Sequence, residues 1–344
     1  MTDSLRIDSH KLEFHPHRVA AWLEGADDWE RAKKVYPLYV EISPVGACNH
    51  RCTFCAVDYI GYKPRILDTP VLEQFFSEAD YTGVKSVMLA GEGEPLLHKE
   101  INEVVSVAKD WNLDVAFTTN GILLNKLDLA PVTWVKVSIN AGTRETYLRV
   151  HKAKPKDWDI LWENLRDAAK RKGACTLGAQ IVLLPENLHE VSRLYELCEE
   201  AGLDYLVAKP YSQHKSSITH TYEGFRGVPL GMVTGKCQFI FRQEAWRTTS
   251  IPYEKCNATP FFWAYIMASG DVYSCSAYLL DDRFRLGNIH EQTFKEIWEG
   301  PRRKANWELL RKHLDIKECR VNCRMDKANR YLDGFSSTEH INFI

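Results

Sequence analysis

The sequence has no run of about 18 apolar residues, so nothing in it reads as a membrane-spanning helix. It has no excess of positive charge: 44 Lys and Arg against 46 Asp and Glu leave a formal charge of -2. Without a basic field, binding of nucleic acid or another polyanion has no support. Residues 1–22 are too polar and too rich in His for a secretory leader, and a cytoplasmic location is expected. That argues against reading the ten cysteines as five disulfides, because thiols in a reducing compartment stay free or bind metal. With 45% hydrophobic and 26% charged residues the composition is that of an ordinary globular protein. A length of 344 residues suffices for one large core of about 200–250 residues plus a smaller module.

What the chain does have is thiols in groups. Three stand within the stretch Cys48-Asn49-His50-Arg51-Cys52-Thr53-Phe54-Cys55, directly after the apolar run 38–42. Four more are Cys256, Cys275, Cys319 and Cys323, while Cys175, Cys198 and Cys237 stand apart. Thiolates are the usual ligands of iron–sulfur clusters, and a cubane held by only three of them keeps one iron free for another ligand. A structural zinc ion on Cys48, Cys52, Cys55 and His50 is the alternative, since three thiols and an imidazole are a common zinc set.

Around the first group, short apolar stretches alternate with helical periods. A strand over 38–42 leads into the cysteine loop. Further strands are expected over 85–89, 115–119, 134–139, 176–184 and 205–208. Helices are expected over 101–111, 158–171 and 188–201, and the leader reads as a helix over 19–35. Near-continuous apolar strands of this kind belong to a parallel sheet covered by helices. In such sheets functional residues collect where strands end. Gly93-Glu94-Pro95, Thr119-Asn120-Gly121, Ser138-Ile139-Asn140 and Lys209-Pro210-Tyr211-Ser212 all follow expected strands, although each alone is also ordinary turn chemistry.

Together with the C-x3-C-x2-C spacing and the aromatic Phe54 before the third Cys, these motifs resemble the radical S-adenosylmethionine (SAM) superfamily. The resemblance covers about 37–215 and implies an α/β fold, a partial (β/α)6 TIM-like barrel. It implies a [4Fe-4S] cluster on Cys48, Cys52 and Cys55 whose open iron chelates the amino and carboxylate groups of SAM. Reductive cleavage then gives methionine and a 5′-deoxyadenosyl radical that abstracts hydrogen from an unactivated C–H bond. The family's Gly-Gly-Glu-Pro motif, which contacts the SAM amino group, matches Gly93, Glu94 and Pro95, with Glu92 where the first Gly is usual. Ser138 and Asn140 match the polar residues near the SAM ribose and carboxylate, Phe54 the aromatic position against the adenine, and 180–187 the fifth-strand region beside it. Asn120, after the third strand, joins this cofactor-binding set.

Residues 213–249 lack a clear period and read as a linker or as a segment covering the substrate. Beyond them, strand 261–267, the turn Ser269-Gly270-Asp271 and strand 272–275 make a hairpin with Cys256 before it and Cys275 at its end. With Cys319 and Cys323 this gives four thiolates, enough for a cluster with no open position or for a zinc ribbon. The Gly270-x4-Cys275 element, and Leu286-Gly287-Asn288-Ile289 leading to Glu296-Ile297-Trp298, resemble the SPASM/twitch extension of the same superfamily. That implies one auxiliary [4Fe-4S] cluster in a small C-terminal extension built on a β-hairpin and helices. The expected domains are a helical leader over 1–36, the radical SAM core over 37–215, a linker or substrate-covering segment over 216–250 and the auxiliary-cluster domain over 251–344.

The resemblance implies an enzyme that draws electrons from an external flavodoxin- or ferredoxin-type donor. The leader is too short for a winged-helix peptide-recognition domain, which favours a small-molecule substrate, a sugar, cyclitol or nucleotide sugar, over a peptide. An auxiliary cluster able to accept an electron makes net dehydrogenation the expected reaction. Cys237 is the candidate catalytic thiol: an S–H that quenches a carbon radical would make the reaction an epimerisation, while beside Phe239 and Phe241 it also reads as a small buried residue. A peptide maturase and, outside catalysis, a two-cluster electron carrier are the remaining alternatives.

Overall fold

The structure, a computed structural model, describes residues 5–229, 233–247, 250–320 and 323–343. Its strands are β1 (Tyr39–Ile42), β2 (Ser86–Leu89), β3 (Asp114–Thr119), β4 (Trp134–Ser138), β5 (Thr176–Leu183), β6 (Tyr205–Pro210), β7 (Gln238–Phe241), β8 (Trp263–Ile266), β9 (Asp271–Tyr273) and β10 (Arg285–Asn288). All ten form one sheet in the order β10-β9-β8-β1-β2-β3-β4-β5-β6-β7. From β8 through β1 to β7 every pair is parallel, while β9 runs antiparallel to β8 and β10. The ends of the sheet, β7 and β10, do not pair, so it curls into a partial barrel and stays open.

The helices are α1 (Pro16–Gly25), α2 (Trp29–Ala32), α3 (Thr69–Thr82), α4 (Ile101–Asp110), α5 (Arg144–His151), α6 (Asp157–Arg171), α7 (Val191–Ala201), α8 (Gln243–Arg247), α9 (Thr259–Phe262), α10 (Phe294–Glu299), α11 (Pro301–Glu308) and α12 (Asp326–Ser337). Apolar spacing decides which face each one buries. In α4, Ile101, Val104, Val105 and Ala108 recur at three and four residues and all are buried.

Successive side chains of a strand point to opposite faces of the sheet, and the two faces differ here. Val40, Ile42, Val87, Leu89, Val115, Phe117, Val135, Val137, Leu177, Ala179 and Ile181 are buried in one continuous core with the helices. Their alternates Glu41, Met88, Thr118, Lys136, Ser138, Gln180 and Lys209 turn inward and line a cavity. The same core runs on into Ala264 and Ile266 of β8, Val272 of β9 and Phe294, Ile297 and Trp298 of α10.

Several expected elements differ. The helix expected over 19–35 is two, because Asp28 caps a new start by accepting a hydrogen bond from the amide of Glu30. The strand expected over 261–267 begins as the short helix α9, with Pro260 in its first turn. The segment 213–249, expected to lack regular structure, contains β7 and α8, so β7 and β8 bracket the six expected strands. The leader packs on the C-terminal elements: Val19, Trp22, Ala32 and Val35 share a core with Phe261, Phe262, Trp307 and Leu332.

Arg303 ties this second core together. It is fully buried, donates to the carbonyls of Pro260 (2.6 Å) and Trp298 (3.1 Å), and lies 4.1 Å from the centre of the Trp298 ring. Arg303→Ala is expected to lower the unfolding free energy by about 3 kcal/mol, combining lost hydrogen bonds with a cavity. Urea denaturation of the metal-free protein measures it, and a loss below about 1 kcal/mol would contradict this role.

Candidate cluster and cofactor site

The loop after β1 carries Cys48, Cys52 and Cys55, and it is held by its neighbours rather than by regular structure of its own. The amide of Arg51 donates to His151 O and that of Thr53 to Val150 O, which pins the loop to the end of α5. From the other side Glu94 N donates to Ala47 O at 2.9 Å. This close approach requires glycine at position 93, since a Cβ there would run into the carbonyls of Ala47 and Val45.

Glu94 is buried, and both its carboxylate oxygens are occupied. Oε1 accepts from Leu96 N (3.1 Å) and Thr119 Oγ1 (2.6 Å), and Oε2 from Asn120 N (2.8 Å). Burial raises its pKa, and the three donors only partly oppose that. Glu92, where the family motif has glycine, accepts from Ala268 N at 2.7 Å while its own amide donates to Ser43 Oγ at 2.7 Å. The departure from the motif thereby links the loop after β2 to the turn after β8.

Cys48, Cys52, Cys55, Phe54, Gly93, Glu94, Asn120 and Ser138 all line one cavity of about 370 Å³, together with Cys275 and Cys323 of the second thiol group. Pro95 and Asn140 support it from behind. Pro95 is buried in the turn Pro95–Leu97. Asn140, held at φ 55°, accepts from Val182 N at 2.7 Å through its side chain and from Asn187 Nδ2 at 2.9 Å through its carbonyl. Cys256 and Cys319 lie just outside the cavity wall. Cys256 Sγ is 3.2 Å from Thr259 Oγ1, Cys319 Sγ is 3.4 Å from Tyr278 OH, and Cys256 acts electrostatically on Cys275, Cys319 and Cys323, so the four thiols converge.

Cys237 is not brought to the cavity. It lies in the core between sheet and helices, where Tyr195 OH donates to its carbonyl at 2.8 Å, and burial pushes its thiol up to about 12. This corrects the expectation of a hydrogen-atom donor at the reaction site and agrees with the small buried residue.

Two histidines, His50 of the loop itself and His151 at the end of α5, also line the cavity. His151 Nε2 donates to Ile139 O at 2.8 Å, which leaves Nδ1 facing Cys52 Sγ at 3.2 Å, and burial lowers its pKa to about 3. His50 contacts Asp157 Oδ2 at 3.3 Å, and its buried Nδ1 has no partner among the described residues. His151 and Lys136 did not figure in the sequence-derived site, whereas Gln180 and Lys209 entered it only within the stretches 180–187 and 209–212. The signal for Lys136 was a charged residue inside an otherwise apolar strand, and His151, at the end of α5, carried none.

The thiols suit clusters rather than zinc. A tetrahedral zinc ion with bonds of about 2.3 Å gathers its sulfurs to about 3.8 Å of one another. Among the described residues the one group of three or more ligand atoms all within 4.8 Å is that of His50, Cys52 and His151. The loop thiols, like the four C-terminal ones, are therefore spread more widely, as suits sulfurs that each take a separate iron. Burial pushes Cys48 up to about 11 and Cys323 up to about 12, with neighbouring cysteines adding to both, so loading must displace protons.

Comparison with known proteins agrees with this geometry. The model of the radical SAM superfamily matches residues 42–198, and that of the SPASM iron–sulfur cluster-binding domain matches 256–324. The chain belongs to the radical SAM superfamily and carries a C-terminal SPASM domain. It therefore has a [4Fe-4S] cluster with SAM and an auxiliary iron–sulfur cluster. Among curated relatives it is 30% identical over 174 residues to a probable GTP 3′,8-cyclase of Methanothermobacter marburgensis, covering 47% of this chain and 54% of that one. The chain thus spans about half the length of those cyclases. It is 25% identical over 320 residues to an AdoMet-dependent heme synthase of Methanosarcina barkeri, covering 83% and 87%. In fold it is similar to Streptococcus suis SuiB bound to SAM, with a TM-score of 0.60, 15% identity and coverage of 88% and 75%. It is likewise similar to anSMEcpe with bound AdoMet, with a TM-score of 0.58, 19% identity and coverage of 86% and 88%. Among the described residues no helix is long and apolar enough to cross a membrane.

Anaerobic reconstitution is expected to give about eight irons per chain, as two cubanes. Replacing Cys48, Cys52 and Cys55 together by Ala should remove about four. Iron and zinc analysis measures this, and stoichiometric zinc with little iron in anaerobically purified protein would contradict it.

Proposed function

We propose that this enzyme abstracts hydrogen from a small polar substrate, a sugar, cyclitol or nucleotide sugar, in a net dehydrogenation. The observation that carries this reading is that residues of both thiol groups line one cavity, with the segment after β6 tied to the cluster loop beside it. Asp58, next to the cluster loop, accepts from the amides of Ile218 (3.0 Å) and Thr219 (3.1 Å), while Tyr222 OH lies 2.8 Å from Thr53 Oγ1 and donates to Glu186 Oε1 at 3.0 Å. A segment tied down at these points beside the cavity suits a compact substrate better than an extended peptide. The relatives' names, a GTP 3′,8-cyclase and an AdoMet-dependent heme synthase, are those of enzymes acting on small molecules, which supports the same choice.

When bound, the first cluster supplies the electron that cleaves SAM to methionine and a 5′-deoxyadenosyl radical, and the auxiliary cluster supplies an acceptor for the electron that the substrate gives up. In this reading Cys48, Cys52 and Cys55 hold the first cluster and Cys256, Cys275, Cys319 and Cys323 the second. Glu94 receives the SAM ammonium, for which a buried carboxylate with no cation beside it is suited. Phe54 provides an apolar face for the adenine, and Asn120 and Ser138 offer hydrogen bonds from the ends of β3 and β4. Asn140 keeps β5 in register with β4 by holding the amide of Val182. An external flavodoxin- or ferredoxin-type protein is the proposed reductant.

Turnover with SAM and dithionite tests the proposal directly. The true substrate should stimulate 5′-deoxyadenosine release and yield a product lacking two hydrogens. Stimulation by a peptide and by no small polar compound, or a product of unchanged mass, would contradict it. Glu94→Ala is expected to weaken SAM binding by about 1.5 to 3 kcal/mol, the worth of a charge-assisted hydrogen bond. Equilibrium dialysis measures this, and unchanged affinity would refute the role given to Glu94.

A further inference from the structure

Three cations on the cavity wall, Lys136, Lys209 and Arg320, have no ion pair among the described residues, and the two lysines lie on barrel strands. Lys136, in the middle of β4, and Lys209, next to the last residue of β6, both face the cavity. Among the described residues neither ammonium has an ion pair or a hydrogen bond, and the nearest ring to Lys136 Nζ is that of Trp134, at 5.8 Å. Of the two carboxylates lining the same cavity, Glu41 pairs with Arg324, and Glu94, which accepts from Leu96, Thr119 and Asn120, is the group assigned above to the SAM ammonium. Of the charges acting on the two lysines most are positive. Arg324 and Arg242 act on both, Arg320 and Lys136 act on Lys209, and Glu41, itself paired with Arg324, is the one carboxylate that acts with both lysines. Arg242 is paired with Asp8 at 3.3 Å. Burial first, and these like charges second, pull Lys136 down to about 8 and Lys209 well below the ordinary lysine range.

Unpaired charge drawn partly out of water is costly to a fold, and two such half-buried groups on one wall are explained by a ligand that neutralises them. We propose that Lys136 and Lys209 bind an anionic group of the substrate, a carboxylate or a phosphate, and so orient it in the cavity shared by the two thiol groups. This rests on the small-polar-substrate reading above and narrows it to an acid or a phosphate ester. Lysine is a point-charge donor that suits either anion. The carboxylate of SAM itself is the competing occupant.

The test is isothermal titration of the reconstituted, SAM-saturated protein with inorganic phosphate and with malonate, alongside SAM affinity by equilibrium dialysis. Wild type should bind at least one probe saturably, and Lys136→Met and Lys209→Met should each weaken it at least tenfold while leaving SAM affinity within twofold. Tighter binding of phosphate points to a phosphate ester, tighter binding of malonate to a carboxylate. No saturable binding by wild type, or a parallel loss of SAM affinity in the variants, overturns the proposal. Both variants should also unfold at higher urea than wild type, because an unpaired charge is removed; unfolding at lower urea would assign the lysines a structural role and overturn it as well. Release of 5′-deoxyadenosine by the same wild-type sample separates two failures. Release without anion binding leaves the enzyme reading in place and removes only this inference, whereas no release removes the reading on which it rests.

Discussion

A carboxylate buried without a cation fixes the mouth of this barrel. Taking Glu94 out of water is expensive unless fixed donors replace the lost hydration, and its three donors come from the turn that follows it and from the end of β3. Its own amide holds Ala47 in the cysteine loop. The ends of β1, β2 and β3 are thereby tied at one point, and the thiols of Cys48, Cys52 and Cys55 are presented from a loop with almost no regular structure of its own. Glu92 extends the same logic across the sheet, since its bond to Ala268 brings the elements of the second thiol group to the same opening.

The outward faces of the barrel strands were legible in the sequence, because a parallel strand under helices is apolar and short. The cysteine loop and the turns after β2, β3 and β4 were legible for a different reason, the pairing of unusual residues with strand ends. The inner face was harder to read. Glu41, Lys136 and Lys209 each interrupt an apolar strand once, and a single interruption does not establish a two-residue period. β7 went unread because Gln238–Phe241 is four residues long and lies in a segment rich in glycine. Cys237 shows the limit of residue type as a guide: which side of a sheet a thiol faces depends on register, and the register of β7 is set by its pairing with β6.

The cavity wall has two electrical characters. Near the cysteine loop the fixed groups are the Glu94 carboxylate and thiols held protonated by burial. Elsewhere on the wall they are Arg320 and Arg324 of the C-terminal part and Lys136 and Lys209 of β4 and β6, with Glu41 as the counter-charge. A zwitterionic cofactor at one end and an anionic substrate at the other would each meet complementary charge. In the proposed assignment the two thiol groups also differ in number, three against four, so that only the first would leave an iron open to an outside ligand.

That asymmetry is the centre of the account, and Mössbauer spectroscopy of iron-57-reconstituted protein with and without SAM tests it most directly. SAM should shift the signal of one iron in the cluster on Cys48, Cys52 and Cys55 and leave the cluster on Cys256, Cys275, Cys319 and Cys323 unchanged. Spectra identical with and without SAM, or a shift confined to the second cluster, would contradict it.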